Sequence, residues 1–180
     1  MNKTLLALSL ALAATTSSAA NFVSVEVDRV KDSVTGAVSQ AQFIRAGVDA
    51  YGLNFGLQGR TAAFENGGLL SSVETTVGKV VGPVQVYGGV GFDAGRNGAK
   101  NASFEYGLVG VQTGMPVGPV YAFGGVKTRL NRQLNAPKQT VVYGEVSYPL
   151  TKKVSVGLNV SKSTQTIKET AYGTSLRVSF

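Results

Sequence analysis

Apolar residues occupy every second position through most of the chain from residue 21 to the carboxyl terminus. The first such run sets Val23, Val25 and Val27 against polar neighbours, and a later one spans 154–160. A period of two is typical of β-strands with one apolar face, and the longer period of amphipathic helices is nearly absent. The alternation therefore predicts an all-β protein whose strands each present one apolar face.

Counting the alternating runs predicts ten strands, with eight as the alternative. The runs are 23–27, 44–50, 53–60, 73–77, 84–92, 104–114, 120–126, 142–148, 154–160 and 172–180. Short turns are predicted at 51–52, 82–83, 115–118 and 149–153, and longer polar loops at 31–40, 65–71, 95–103, 130–138 and 163–169. Four short and five long connections place both chain ends on the short-turn side. A change of phase near Leu108 predicts a β-bulge.

Residues 1–20 have the composition of a secretory signal peptide. Lys3 is the only charge, 5–14 is apolar apart from one serine, and Ser18 and Ala20 suit cleavage after Ala20. The apolar run is far shorter than the roughly 20 residues that a membrane-spanning helix needs. We expect a signal peptide over 1–20 and a single barrel domain over 21–180.

The face opposite the apolar one is rich in glycine and serine, with a few charges. A water-facing soluble sheet would carry many Lys, Glu and Thr side chains, whereas small groups suit a narrow lumen. Runs of about nine to eleven residues match the length that a tilted strand needs to cross a bilayer. These features predict a closed, antiparallel, up-and-down transmembrane β-barrel. A soluble barrel whose apolar face lines a ligand cavity is the competing interpretation.

The final strand, AYGTSLRVSF, ends the chain on an aromatic residue. With the leader, the cysteine-free strands and the alternating turn lengths, it resembles the outer-membrane β-barrel proteins of Gram-negative bacteria. The resemblance implies export through the periplasm to the outer membrane, contact with membrane lipids and lipopolysaccharide, and a monomer. It also implies that the last strand is read by the outer-membrane assembly machinery, although Thr174 departs from the family's all-apolar pattern. The residues that carry this signal are Tyr172, Leu176, Val178 and Phe180.

Most enzyme chemistry is excluded by composition. The chain has no His and no Cys, so it lacks imidazole bases, thiolate nucleophiles and the usual transition-metal ligands. It contains no G-x-S-x-G motif, and its acids are spread over different strands. The bases are scattered singly except for Lys152 and Lys153, unlike a nucleic-acid surface. We expect no enzyme activity, no cofactor, no metal site and no nucleic-acid partner.

The charges on the small-residue face are the candidate functional residues. If each long loop is symmetric about its centre, three pairs of opposite charge face one another, and barrel closure brings a further arginine towards the first strand. The predicted pairs are Glu26 with Arg45, Arg60 with Glu74, and Lys127 with Glu145, with Arg177 near Glu26. They form either a constriction that selects ions or a salt-bridge ladder that fills the interior.

Four aromatic residues share the lumen face and cluster towards the short turns. They either plug the lumen or form a surface on which sugars stack. These residues are Tyr87, Tyr121, Phe123 and Tyr143.

Two functions follow from this pattern. The first is a non-enzymatic barrel with a largely filled lumen, which contributes to envelope structure or to surface interaction through short basic loops. The second is a narrow, porin-like diffusion channel for ions or small solutes. The loops, with Lys162 at the edge of the last, carry seven bases and three acids, a net charge of +4, which favours anionic partners. The charges are Lys31, Arg96, Lys100, Arg132, Lys138, Lys162 and Lys168 against Asp32, Glu65 and Glu169.

Overall fold

The computed structural model describes residues 21–64, 68–97, 100–131, 139–165 and 168–180. These residues form ten strands: β1 Phe22–Asp32, β2 Val38–Ala50, β3 Leu53–Phe64, β4 Leu69–Val81, β5 Val84–Asn97, β6 Lys100–Val117, β7 Val120–Asn131, β8 Gln139–Pro149, β9 Val154–Gln165 and β10 Glu169–Ser179. Each strand pairs antiparallel with the next, and β1 also pairs with β10, so the sheet closes on itself. The closed ten-strand barrel is confirmed, and the eight-strand alternative is wrong.

The short turns lie at one end of the barrel together with Asn21, the first described residue, and Phe180. Tyr51 and Gly52 both have positive φ, 55° and 74°, as a type I′ hairpin requires. Gly82 and Gly118 adopt φ of 60° and 61° directly before a proline, so the repeated Val-Gly-Pro-Val sequence forms the same kind of turn twice. The amide of Phe180 donates to the carbonyl of residue 21 at 3.0 Å, which fixes the carboxyl terminus beside the amino-terminal strand.

Several connections are shorter than the sequence predicts, because the strands stay paired beyond their apolar runs. The turn predicted at 115–118 is residues 118–119, and the one predicted at 149–153 is 150–153. The long-loop connections are 33–37, 65–68, 98–99, 132–138 and 166–168, of which only 33–37 is wholly within the described residues. The predicted signal peptide, 1–20, also lies outside the described residues. No helix in the described part of the chain is long and apolar enough to cross a membrane.

The bulge predicted near Leu108 is absent from β6. Residues 100–113 pair with β5 without interruption, and 106–117 pair with β7 in the same way. Leu108 points into the lumen and is only 2 % exposed, while Val109 points outwards and is 47 % exposed. The apparent change of phase is therefore a single apolar side chain on the lumen face, and the strand itself is regular.

The outer wall of the barrel is an apolar belt. Large hydrophobic side chains from successive strands are between 38 % and 68 % exposed on it, whereas Glu26, Asp28, Glu74 and Glu145 inside are at most 5 % exposed. The belt includes Val25, Phe55, Leu57, Val73, Val77, Val86, Val90, Val109, Val142, Val156, Leu158, Val160 and Leu176. Since a soluble barrel would place these groups inside, the soluble interpretation is wrong and the wall is built to face lipid.

Polar side chains replace the apolar ones on the outer wall towards the long-loop end. Arg29 and Gln40 are paired across β1 and β2 and are both exposed. Inside the barrel at the same end, small apolar side chains pack against Phe43 and Leu70 and narrow the lumen. These buried residues are Val30, Ala41, Ala62 and Ala171.

Candidate functional site: the barrel lumen

The lumen carries its charges because strand alternation turns every second side chain inwards. On β1 and β2 this brings Glu26 and Arg45 together as a bidentate ion pair. Arg45 Nη1 donates to Glu26 Oε2 at 2.5 Å, and Nη2 donates to Oε1 at 3.2 Å. Arg45 Nε then donates to Gln58 Oε1 on β3 at 2.8 Å. The Glu26 side chain is 2 % exposed, so this pairing satisfies a carboxylate that water cannot reach.

Glu74 on β4 is contacted by four donor side chains in the lumen. Lys127 forms a salt bridge with its Oε2, and Arg129 Nη2 lies 3.3 Å from its Oε1. The Tyr106 hydroxyl lies 3.0 Å from Oε1, and Gln58 Nε2 lies 3.4 Å from Oε2. Because these four donors come from β3, β6 and β7, the contacts cross the lumen as well as following its wall.

Arg129 extends these contacts to β5. Its Nη1 donates to Asp93 Oδ2 at 2.7 Å, and its guanidinium lies 4.1 Å from the centre of the Tyr106 ring. The Tyr106 hydroxyl is also 3.1 Å from Asp93 Oδ1. A continuous chain of hydrogen bonds and ion pairs therefore runs from Glu26 through Glu74 to Asp93. We call the residues joined by these hydrogen bonds and ion pairs the lumen network: Glu26, Arg45, Gln58, Glu74, Asp93, Tyr106, Lys127 and Arg129.

Two buried acids of the lumen, Asp28 and Glu145, accept from neutral donors on β9 and β10. Asn159 Nδ2 donates to Asp28 Oδ1 at 2.8 Å, and Ser175 Oγ donates to Glu145 Oε1 at 3.0 Å. Both carboxylates are buried. An amide and a hydroxyl donor therefore satisfy these two acids, whereas Glu169 on β10 is paired with Arg60.

The predicted lumen aromatics lie in the lumen, and three of them are linked. Tyr87 donates to the Tyr143 hydroxyl at 3.0 Å, Tyr143 donates to Gln112 Oε1 at 2.8 Å, and the rings of Phe123 and Tyr143 meet edge to face at 6.4 Å. Tyr121 lies nearer the short turns and is 44 % exposed. These side chains fill part of the lumen between the network and the short turns.

Glycines make room for the lumen tyrosines. Gly110 stands opposite Tyr87 across β5 and β6, and a Cβ at residue 110 would lie 2.4 Å from the Tyr87 ring. Gly91 has the same relation to Tyr106, at 2.3 Å. The small lumen face predicted from the sequence thus accommodates aromatic rings from the neighbouring strand.

Two of the predicted pairs have other partners in the structure, while the contact of Arg45 with Glu26 is present. Arg60 meets Glu169 at 3.5 Å in place of Glu74, whose oxygens are paired with Lys127 and Arg129. Lys127 meets Glu74, since Glu145 stands opposite Phe123. Loop symmetry is therefore a poor guide to partners in a narrow lumen, where long side chains reach past the neighbouring strand.

Arg177 is the third predicted lumen charge whose contacts differ from the prediction. Its guanidinium lies 4.5 Å from the Phe22 ring centre and 5.7 Å from that of Phe123. It makes no salt bridge with Glu26, whose register partner on β10 is Ser175. Glu169, counted with the loop charges, belongs instead to the lumen through its contact with Arg60.

Sequence reasoning missed Gln58, Asp93, Tyr106 and Arg129 as members of the network. Asp93 and Arg129 continue the lumen phase of β5 and β7 past the last apolar residue used to define each run, so a longer reading of the alternation would have found them. Tyr106 was obscured by the supposed bulge. Gln58 is uncharged, and nothing in its sequence context indicates that it bridges two charged residues.

The lumen contains a cavity of about 700 Å³. Residues from the short turns, such as Pro83, line it, and so does Glu169 near the long loops. Among the described residues, no group of three or more metal-ligating side chains is arranged to hold an ion. The charged side chains that line this cavity can repel or attract charged solutes, and its polar side chains can form hydrogen bonds with small polar molecules.

The last strand presents its predicted assembly residues to the outside. Tyr172 and Leu176 are 50 % and 48 % exposed on the outer wall. Val178 pairs with Val23 on β1 and Val154 on β9, so β10 closes the barrel. Phe180 follows directly after the strand.

No protein-family model matches this chain. No curated protein matches it either. Among solved structures, it is similar to the translocator domain of the autotransporter NalP from Neisseria meningitidis, at 11 % identity and a TM-score of 0.53, covering 98 % of this chain and 94 % of that one. Neisserial surface protein A has 14 % identity and a TM-score of 0.45, covering 89 % of this chain and 96 % of that one. The transport unit of the autotransporter AIDA-I from Escherichia coli has 10 % identity and a TM-score of 0.45, covering 98 % and 96 %. With its apolar outer belt and closed ten-strand sheet, the chain has the fold of the Gram-negative outer-membrane β-barrel proteins.

Proposed function

We propose that the protein is a non-enzymatic outer-membrane barrel whose lumen is largely closed, and that it contributes to envelope structure or to surface contacts. Its outer belt contacts membrane lipids, and its basic loops face the phosphates and acidic sugars of lipopolysaccharide. The absence of His and Cys from the whole sequence supports a non-enzymatic role. A monomer is proposed, and the last strand with Phe180 is proposed as the segment that the assembly machinery reads.

The observation that carries this proposal is the lumen network around Glu74. Its partners reach this carboxylate from β3, β6 and β7, so side chains span the space that a solute would have to cross. Breaking a buried ion pair by removing one partner typically costs about 3–5 kcal/mol. A solute would therefore have to displace contacts that are expensive to open. A barrel of ten strands is also close in width to the eight-stranded barrels that side chains fill.

The second candidate is a narrow diffusion channel for ions or small solutes. It is favoured by the cavity of about 700 Å³, whose lining extends from the short turns to the long-loop end of the lumen. In this alternative the network narrows the path and selects among solutes without blocking them. The two candidates differ in one measurable property, the steady conductance of the unmodified protein.

Planar-bilayer recording of the purified protein decides between them. A closed lumen predicts little or no steady conductance from the native chain. In Glu74→Ala/Lys127→Ala both partners of the central salt bridge are lost, so stable openings should appear. The matched control, Arg60→Ala/Glu169→Ala, removes the ion pair outside the network and should stay closed. Large, stable, ion-selective steps from the native protein would contradict the closed barrel and favour the channel.

A further inference from the structure

Arg177 is the unusual cation of the lumen. It lies near the end of β10, on the short-turn side of the network, and its guanidinium lies over two aromatic rings, 4.5 Å from the centre of Phe22 and 5.7 Å from that of Phe123. Phe22 and Phe123 come from β1 and β7, so three separate strands build this arrangement. An aromatic ring against the face of a guanidinium leaves its terminal Nη groups able to donate in the plane.

No carboxylate among the described residues lies within salt-bridge distance of Arg177. The other lumen cations are each paired: Arg45 with Glu26, Arg60 with Glu169, and Lys127 and Arg129 with Glu74. Within the described part of the chain, Nε is buried without a hydrogen-bond partner in Arg60, Arg129 and Arg177 alike. Arg60 and Arg129 are ion-paired through their Nη groups, whereas Arg177 has no such pair. A charged donor in this state is costly unless something else satisfies it.

The space beside Arg177 can accept a small molecule. Arg177, both flanking rings and Tyr121 line the cavity of about 700 Å³, which reaches the exposed turn at Gly82 and Pro83. Polar side chains complete the wall, with Gln112 donating to Gln85 at 2.7 Å. The cavity is therefore accessible from the short-turn end, and it combines one strong cationic donor with neutral hydrogen-bonding groups.

Two acids also face this half of the lumen, but each has a donor of its own. Asp49 accepts from the Asn54 amide, and Glu145 accepts from Ser175 Oγ at 3.0 Å. Neither lies within the 4.0 Å of Arg177 that a salt bridge requires. The positive charge of Arg177 is thus left for a ligand.

We propose that Arg177 binds a small oxyanion, a carboxylate or a phosphate, in the short-turn half of the lumen. Two oxygens of such a group can accept from the two edge N–H donors of a guanidinium in parallel, which is the geometry that arginine recognises best. The aromatic clamp holds the side chain in place before the anion arrives, so little ordering is required on binding. This site does not depend on whether the lumen conducts, because the ligand enters and leaves at one end.

The test follows the arginine side-chain Nε–Hε resonances of the full chain by NMR, in a micelle of sugar-headed detergent. Inorganic phosphate and acetate are titrated separately, each against sodium chloride at matched ionic strength. The Arg177 resonance is assigned by its loss in Arg177→Lys. We expect it to shift saturably with phosphate and acetate but not with chloride. A linear shift, or an equal shift with chloride, would overturn the proposal.

Variants separate this site from the basic loops. Arg177→Gln should weaken oxyanion binding in the lumen by about tenfold or more, since a hydrogen bond to a charged group contributes roughly 1.5–3 kcal/mol. Binding is read in these variants from the Gln112 side-chain amide. Arg60→Gln, which removes a cation that already has a partner, should leave the affinity within about twofold. Loss of binding in Arg60→Gln but not in Arg177→Gln would refute the assignment.

A third titration distinguishes the source of the anion. A short-chain phosphatidylglycerol carries a phosphodiester, a related oxyanion, on a lipid that cannot enter the lumen from the outer wall. If Arg177 binds a free solute, inorganic phosphate shifts its resonance and the lipid does not. A shift with the lipid alone would contradict a solute site inside the barrel.

Discussion

Glu74→Gln removes one negative charge from the centre of the lumen and leaves the shape of the side chain almost unchanged. Glu74 is 4 % exposed, and its salt-bridge partner Lys127 has a side chain only 16 % exposed. Arg129 keeps Asp93 as a second partner at 2.7 Å, whereas no second carboxylate lies within 4.0 Å of Lys127 among the described residues. The variant therefore leaves an unpaired ammonium in the lumen, and we expect the free energy of unfolding to fall by about 3 kcal/mol.

The reverse change is milder. Lys127→Met leaves Glu74 with Arg129, Tyr106 and Gln58 as donors, so we expect a loss of about 1–2 kcal/mol. In Glu74→Gln/Lys127→Met no unpaired charge remains, and the loss should be smaller than the sum of the single losses by about 1–3 kcal/mol. This coupling is the quantity that separates an ion pair from two independent packing contacts.

Equilibrium unfolding in urea, with the barrel folded in lipid vesicles, measures these differences. The fraction folded is measured on a gel of unboiled samples, where a folded barrel migrates differently from the boiled, unfolded chain. Tyrosine fluorescence gives a second measurement, since the chain has no tryptophan. Glu105→Gln is the matched control, because Glu105 is exposed on β6 and should change stability by less than about 0.5 kcal/mol. If Glu74→Gln unfolds at the same urea concentration as Glu105→Gln, the central role of this carboxylate is refuted.

Three further changes test other parts of the molecule. Gly110→Ala drives a Cβ against the Tyr87 ring and should destabilise the barrel by about 1–3 kcal/mol in the same urea assay, whereas Gly59→Ala, with open space around its Cβ, should be nearly neutral; equal effects would contradict the close packing. Tyr143→Phe removes the hydroxyl that links Tyr87 to the neighbouring glutamine and should cost about 1–2 kcal/mol, and an unchanged unfolding curve would show that this link is not stabilising. Deleting Phe180 should lower the amount of protein recovered in outer-membrane fractions while leaving folding of the purified chain in detergent intact, and undiminished recovery would show that the terminal aromatic residue is not read during assembly.

The strands could be predicted from the sequence because alternation and turn motifs depend only on residues that are close together along the chain. A valine at every second position indicates a strand, and Gly-Pro or Tyr-Gly between two runs indicates a turn, whatever the rest of the chain does. Leu108 misled the prediction because one apolar side chain on the lumen face looks like a change of phase. Only its pairing with both neighbouring strands, which the sequence does not specify, shows that the strand is regular.

Partners inside the lumen could not be predicted in the same way. Glu74 lies on β4 and Lys127 on β7, so their contact depends on the width of the barrel and on the relative heights of strands that are not neighbours. The sequence restricts the candidates to lumen-facing charges on adjacent strands, and of the three pairs that it predicts only Glu26 with Arg45 is formed. The partner of Arg60 was not predicted because Glu169, which lies at the start of β10, was assigned to a loop.

Closure of the lumen is tested most directly by the accessibility of single cysteines, since the native chain has none. Gln85→Cys places a thiol in the cavity two residues after the short turn at 82–83, and Val34→Cys places one in the exposed 33–37 connection at the other end. Vesicles are treated from outside with a charged, membrane-impermeant maleimide, and Val34→Cys reports the fraction of barrels whose long loops face outwards. A closed lumen predicts that Gln85→Cys is labelled only in the inverted fraction, and that adding Glu74→Ala and Lys127→Ala exposes it in the rest. Labelling of Gln85→Cys in both orientations without those changes would contradict a closed lumen.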